Sequence, residues 1–145
     1  MVQGCCQGQV GQSKAGVITL LYDHYKEAEY DWIWSPYFKP EEIACNGTDS
    51  LLVNFNGLNV LVRARILANK AFHITSAFRS PVFNAKIGGA PKSAHKLGMA
   101  FDISLRGHNK KDLLAQCKQA GFGSFGKYKT FLHVDTRPGR TWGKW

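Results

Sequence analysis

Two residue types that bind transition metals lie seven positions apart in the stretch SAHKLGMAFDI, residues 93–103. The separation of His95 and Asp102 fits neither the helical spacing of three or four residues nor the strand spacing of two. A turn over residues 96–98 followed by a strand would bring the two side chains together. An imidazole and a carboxylate held side by side could then bind a metal ion.

A second histidine lies in the stretch KTFLHVDTR, residues 129–137, which has the composition of a strand. His133 and Asp135 share one face of that strand, and Asp102 is expected on the non-core face of the earlier one. Pairing of the two strands would gather His95, Asp102 and His133. Two imidazoles and one carboxylate form the ligand set of a catalytic zinc ion with a fourth position open for water. A histidine in an apolar strand is also common as a buried structural residue, so the spacing leaves both interpretations open.

The surrounding pattern predicts the elements that would position these residues. Helices are expected over residues 17–32, 55–70, 81–86 and 109–121, and strands over residues 72–80, 98–105 and 129–137. Pro40 is expected at the first position of a further short helix, because Glu41 and Glu42 follow it and acidic residues suit the positive end of a helix dipole. Helices packed against a small, mostly antiparallel sheet make an α+β fold.

The length and composition predict one domain. With 145 residues, 44% of them hydrophobic, the chain is large enough to bury a core. We expect a polar, glycine-rich N-terminal arm over residues 1–16 and a single domain over residues 17–145, acting as a monomer. No apolar run approaches the roughly 20 residues that cross a bilayer, so membrane insertion is not expected. No basic segment followed by an apolar one opens the chain, so no export signal is expected.

The net charge of +9 predicts a polyanionic partner, such as nucleic acid, an anionic membrane or a bacterial cell wall. Lys110 and Lys111 are the only adjacent basic pair, so the chain lacks the dense basic tract that supports nucleic-acid binding. Nucleic acid is therefore not expected as the partner. In the absence of a Cys-x-x-Cys pair or an export signal, the cysteines are predicted to be reduced thiols outside any zinc site: Cys5, Cys6, Cys45 and Cys117.

The stretch at residues 93–103 matches the signature S-x-H-x-x-G-x-A-x-D and resembles the zinc D-alanyl-D-alanine carboxypeptidase family. That family also includes phage L-alanyl-D-glutamate endolysins and Hedgehog-like domains. Three further stretches resemble the family in order and spacing: FKPEEIACNG, SAFRSPVFNAKIGGAPKS and FLHVDTRPGRTW. The resemblance spans roughly residues 37–142 and implies the Hedgehog/DD-peptidase fold.

The resemblance implies a role for each matching residue. It assigns zinc to His95, Asp102 and His133. Arg79 matches the arginine that holds the scissile carbonyl, a role that suits a fixed guanidinium because negative charge grows there in the transition state. Ser93 is expected to bind the substrate or to stabilise the turn before His95.

The general base is the position at which this sequence departs from the family. Many members carry Glu or Asp three residues before the second histidine ligand, and here that residue is Thr130. Asp135, two residues after His133, is the only nearby carboxylate on the same strand face. It is expected to act either as the base or as the partner that orients His133.

The resemblance implies a zinc-dependent peptidoglycan peptidase that hydrolyses an amide bond of the stem peptide or cross-bridge. D-Ala-D-Ala, a D-alanyl cross-link and L-Ala-D-Glu all remain open, with the closing stretch favouring a bond to a D-amino acid. A phage lysis enzyme, or a hydrolase carried in a virion, would be made in the cytoplasm and reach the wall after release. Thr130 motivates the alternative of an inactive, zinc-binding, Hedgehog-like wall-binding module. The closing GRTWGKW is expected to be a packed or frayed terminus, with contact to glycan or wall polymer as the alternative.

Overall fold

The computed structural model describes residues 9–12 and 18–145. Within these residues the strands are β1 (Gln9–Gln12), β2 (Ile18–Tyr22), β3 (Leu51–Asn54), β4 (Ile74–Ser76), β5 (Ala100–Ser104), β6 (Ser124–Lys127), β7 (Phe131–Asp135) and β8 (Arg140–Gly143). The α-helices are α1 (Pro40–Ile43), α2 (Phe55–Ala68), α3 (Pro81–Lys86) and α4 (Lys110–Ala120). Two 3-10 helices cover Tyr25–Asp31 and Ala94–Leu97.

The strands form two sheets. The smaller sheet has the order β1-β2-β3 and is antiparallel throughout. The larger sheet has the order β4-β5-β7-β6-β8, and only its last pair, β6 with β8, is parallel. The predicted α+β class with mostly antiparallel pairing and flanking helices is confirmed, although two sheets take the place of the one that was predicted.

The core lies between the large sheet and the pair of helices α2 and α4. Alternate residues of the two central strands point into it, and all four are buried: Phe101, Ile103, Leu132 and Val134. Leu61 of α2 and Leu113 of α4 are fully buried as well. Because side chains alternate along a strand, Asp102 and His133 necessarily lie on the opposite face of the sheet from this core.

Local sequence signals correctly predicted the positions of the four α-helices. Helix α1 begins at Pro40, as predicted, and α3 covers the predicted residues 81–86. Helix α4 is capped by the Asn109 side chain, which accepts a hydrogen bond from the Asp112 amide at 3.1 Å. It ends at Gly121, whose φ of +119° lies in the left-handed region that glycine adopts without strain.

The predicted helix over residues 17–32 is wrong. Its first part is strand β2, which pairs with β3, and its second part is the 3-10 helix Tyr25–Asp31. The mixed apolar spacing suited either state, and pairing with Leu51–Asn54, a strand that was not predicted, decided between them. The predicted strand over residues 72–80 is limited to Ile74–Ser76, and β6 and β8 were also not predicted.

Some sequence predictions fall on residues that the structure does not describe. The predicted boundary at residues 16 and 17 lies outside the described residues, as do Cys5 and Cys6. Cys45 and Cys117 are described, and both are buried free thiols. Across residues 9–12 and 18–145, no helix has both the length and the apolar character needed to span a bilayer.

Candidate metal centre

The pairing of β5 with β7 builds most of the site. Asp102 lies directly opposite His133 in the antiparallel register. His95 is in the 3-10 helix just before β5, which ends at Gly98 with a φ of +67° so that the chain can turn into the strand. All three side chains are buried, with residue exposures of 2% for His95, 4% for Asp102 and 8% for His133.

Three ligand atoms converge in this cluster. His95 Nε2 lies 3.2 Å from Asp102 Oδ1, and His133 Nδ1 lies 3.0 Å from the same oxygen. The two ring nitrogens are 3.2 Å apart. Ligands of a tetrahedral zinc ion with bonds near 2.0–2.1 Å are separated by about 3.3 Å, so this triangle fits such an ion closely.

The remaining ring nitrogens fix how the histidines are protonated. His95 Nδ1 lies 2.6 Å from the carbonyl oxygen of Ala77, and His133 Nε2 lies 2.8 Å from Asp135 Oδ2. Because carbonyl and carboxylate oxygens accept, both outer nitrogens carry the proton. In the neutral rings, His95 Nε2 and His133 Nδ1 therefore direct lone pairs at the Asp102 oxygen. Three electron pairs facing one another require a proton or a cation between them, which is the second feature that fits a metal ion.

The electrostatics of the cluster agree with this geometry. Burial by itself would raise the pKa of Asp102, but when protons occupy the nitrogens that face it, hydrogen bonds from His133 and His95 outweigh burial and lower the pKa to about 2. Burial would lower the pKa of His133, but hydrogen bonds to Asp102 and Asp135 raise it above its ordinary value. The site thus stabilises positive charge next to an ionised carboxylate, and a divalent cation supplies such charge.

Arg79 and Ser93 lie at the edge of this cluster. Arg79 Nη2 is 3.5 Å from Asp102 Oδ2, the oxygen that the histidines do not contact, and Arg79 Nε donates to Ser76 Oγ at 3.2 Å. The Arg79 amide also donates to the His95 carbonyl at 3.1 Å, which ties the two segments together. Ser93 Oγ accepts a hydrogen bond from the His95 amide at 3.2 Å and so stabilises the turn. Both residues line the cavity beside the metal ligands.

Asp135 lies behind His133. Its exposure is 0%, and it does not line the cavity. Besides His133, the carboxylate accepts hydrogen bonds from Arg137, through the backbone amide and Nε to Oδ1 and through Nη2 to Oδ2, at 3.0–3.2 Å. Burial would raise the pKa of Asp135, but the hydrogen bonds from His133 and Arg137 lower it. Of the two roles left open by the sequence, these contacts favour orientation of His133.

Thr130 lies in the turn before β7, and its carbonyl oxygen accepts from the Leu105 amide at 3.0 Å. The cavity beside the metal ligands has a volume of about 550 Å³. Among the described residues that line it, Asp102 is the only one with a carboxylate. The Glu or Asp that the resemblance implies at position 130, where this chain has Thr, thus has no replacement among the described residues of the cavity wall.

Part of the cavity wall consists of residues that were not predicted from the sequence to belong to the site. Tyr128, Arg140 and Trp142 line it together with Phe131. The Trp142 ring lies 5.2 Å from the His133 ring, and its Nε1 donates to the Tyr128 hydroxyl at 3.1 Å. Of the packed and frayed states expected for the closing stretch, Trp142 shows the packed one. The aromatic and basic character of GRTWGKW was the available signal, but the strand pairing that brings it to the site could not be read from the sequence.

A comparison with protein-family models matches residues 36–135 to the family described as Peptidase M15. The chain belongs to the M15 peptidase family. This finding confirms the resemblance to the zinc D-alanyl-D-alanine carboxypeptidases that the sequence motifs indicated. The comparison with curated proteins found no match. As an M15 member, the protein is assigned to the metal-dependent peptidases, and its buried His95–Asp102–His133 group is compatible with a metal site.

Proposed function

We propose that this M15 protein is a zinc-dependent peptidoglycan peptidase that hydrolyses an amide bond of the stem peptide or of a cross-bridge. The observation that carries the proposal is the convergence of three ligand atoms, from His95, Asp102 and His133, within 3.0–3.2 Å of one another at the wall of an open cavity. When bound, zinc supplies a Lewis acid that activates water and polarises a carbonyl group.

The residues around the ligands hold the site in one arrangement. The Ala77 carbonyl oxygen and the Asp135 carboxylate each bind the outer N–H of one histidine, which keeps His95 Nε2 and His133 Nδ1 free to bind the ion. Histidine nitrogens favour a borderline ion such as zinc over magnesium or calcium, which prefer ligand sets made of oxygen.

Arg79 is proposed to bind the carbonyl oxygen of the scissile bond. Its guanidinium lies next to Asp102 and is held by Ser76, so it is positioned before the substrate arrives. Fixed positive charge near a developing oxyanion lowers the barrier because no reorganisation is needed during the reaction. Ser93 can contribute its hydroxyl proton to the substrate, since the oxygen already accepts from the His95 amide.

Asp135 is proposed to act through His133 and not as the base. Its two oxygens are occupied by His133 and Arg137, and the lowered pKa makes it a weak proton acceptor. The absence of any cavity-lining carboxylate other than Asp102 among the described residues also supports the second candidate function, a zinc-binding module without turnover.

The setting of the reaction is part of the proposal. The net charge of +9 suits a wall rich in carboxylates and phosphates. We propose that the bond hydrolysed is of the D-Ala-D-Ala type, cut by carboxypeptidase or endopeptidase action. We also propose a monomeric lysis enzyme of phage type, made in the cytoplasm and acting on the wall after release or from a virion.

Digestion of purified peptidoglycan tests the function directly. We expect release of defined muropeptides, loss of release after treatment with a chelator, and recovery when zinc is added back. Mass spectrometry of the products identifies the bond. The Asp102→Ala variant serves as the matched inactive protein, because it removes one of three protein ligands. Protein that carries one zinc ion per chain and releases nothing would reject the peptidase and favour the binding module.

A further inference from the structure

The side chain of Trp142 passes over Gly126 and lies next to the ring of His133. In the large sheet β6 lies between β7 and β8, and its Gly126 pairs with His133 on one side and with Trp142 on the other. A Cβ atom placed on Gly126 would lie only 2.6 Å from Trp142 Cε2 and 2.8 Å from Trp142 Nε1. The indole thus occupies the space that any other residue at 126 would fill, and this lets it lie 5.2 Å from the His133 ring.

Trp142 in turn holds Arg140. The guanidinium carbon of Arg140 lies 4.8 Å from the centre of the Trp142 ring, while the hydrogen bond from Trp142 to Tyr128 fixes the edge of the indole. A guanidinium stacked on an aromatic ring keeps its N–H donors at its edge, where they match the two oxygens of a carboxylate. None of the ion pairs found among residues 18–145 involves Arg140.

The charges around the cavity favour an anionic ligand. Its basic residues are Arg79, Lys92, Arg137 and Arg140, whereas its only carboxylate among the described residues belongs to Asp102. Arg137 is already paired with Asp135, and it also donates to the Lys92 carbonyl at 3.1 Å. With a divalent cation bound to Asp102, the cavity has a net positive charge that a neutral substrate would leave unbalanced.

The stacked arrangement also argues against a sugar in this position. The Trp142 ring is in contact with the Gly126 backbone and is covered by the Arg140 guanidinium, so the ring offers little free surface for stacking. Arg140 lines the cavity and offers guanidinium N–H donors there, whose partners are carboxylates and phosphates.

We propose that Arg140, held by Trp142 over Gly126, is a specificity-determining residue that binds a carboxylate of the peptide substrate near the bond that is hydrolysed. This inference rests on the proposed function, since it names the substrate feature recognised by that same site. The preferred substrate is an acidic peptide. A peptide of the same sequence in which that carboxylate is amidated is a poorer substrate.

The test uses the zinc-loaded protein and three synthetic stem peptides. One peptide carries free carboxylates at its C-terminus and at its D-glutamate, and each of the others has one of the two amidated. In the unaltered protein, we expect one of the two amidated peptides, the one that lacks the carboxylate bound by Arg140, to show a kcat/KM about tenfold lower than the acidic peptide. The Arg140→Gln variant should cleave this amidated peptide and the acidic peptide equally well. Gly126→Ala should lose the same preference without any change in charge.

Two controls isolate the contribution of the guanidinium. Arg106→Gln removes the same charge at an exposed position outside the cavity and should keep the preference for the acidic peptide. Arg140→Lys keeps the charge but not the two-pronged geometry, so an intermediate preference is expected.

The outcomes separate this inference from the proposed function. Equal kcat/KM for the acidic and both amidated peptides, or a preference that Arg140→Gln retains, would overturn the role of Arg140 even though the peptides are cleaved. If no peptide is cleaved, calorimetric dissociation constants replace kcat/KM. A tenfold preference that depends on Arg140 would then support the inference while the peptidase function fails, and equal affinities would overturn both.

Discussion

His133 is the residue on which most of the site depends. Its Nδ1 faces His95 and Asp102, its Nε2 is held by Asp135, and Trp142 lies against its ring. An imidazole whose Nε2–H is bonded to Asp135 cannot rotate without breaking that buried hydrogen bond, which is costly to leave unmade. The ring is therefore kept in the orientation in which Nδ1 can bind a metal ion.

Asp135→Asn separates the two roles considered for Asp135. We expect zinc affinity to fall about 10- to 100-fold, because the neutral amide orients His133 less strongly, while zinc-saturated protein keeps measurable turnover. Metal content after dialysis against a zinc buffer and kcat at saturating zinc check this. Asp23→Asn, at an exposed position, is the matched control. Unchanged zinc affinity with kcat reduced at least 100-fold would instead identify Asp135 as the base.

At the scale of elements, the start of α2 supports the turn that carries His95. The Asn54 side chain accepts from the Gly57 amide at 2.9 Å as the helix cap and donates to the Leu97 carbonyl at 3.2 Å. A Cβ atom on Gly57 would lie 2.9 Å from the Gly98 carbonyl oxygen, so the helix approaches the turn this closely only with glycine at that position. One buried asparagine thus joins α2 to the segment before β5.

Asn54→Ala should destabilise the fold by about 2 kcal/mol, about half from the lost cap and half from the lost hydrogen bond to Leu97. Asn109→Ala is the matched comparison, because Asn109 is exposed and its side chain only caps α4. It should cost about 1 kcal/mol. Urea unfolding in the presence of a chelator measures both. Equal losses for the two variants would show that the bond to Leu97 contributes nothing.

At the scale of the whole molecule, the free energy of unfolding depends on pH and on metal binding through this site. The folded, metal-free protein has a raised His133 pKa, above the value of about 6.5 expected when unfolded. The stabilisation from protonated His133 is therefore fully present below about pH 6.5 and is lost as pH rises through the folded pKa. Metal binding requires the deprotonated ring, so zinc affinity changes in the opposite direction and rises with pH.

The increase in Tm on adding zinc should consequently be larger at pH 8 than at pH 6. Thermal unfolding at pH 6, 7 and 8, with free zinc held constant by a metal buffer, measures this difference. Asp102→Ala should show no increase at any of these pH values. An increase of the same size at all three would mean that zinc does not compete with a proton at His133.

Local signals in the sequence were sufficient for part of this picture. Proline at position 40, asparagine at 109 and glycine at 121 indicate helix ends through backbone chemistry that does not depend on the rest of the fold. The alternation in β5 and β7 separates the core face from the face that carries Asp102 and His133. With the family signature, these patterns determined the α+β class and indicated His95, Asp102 and His133 as the candidate metal ligands.

Long-range pairing decided the rest. Residues 17–32 carry mixed spacing, and only pairing with Leu51–Asn54 made their first part a strand. The register of β6, β7 and β8 places Trp142 next to Gly126, and it places Gly126 next to His133. The position of Asp135 behind His133 depends on the same arrangement. The sequence by itself determined which residues are candidate ligands for a metal ion, because residue type and local period encode that chemistry. Only the tertiary structure decided what surrounds them, because contacts between distant strands have no local signal.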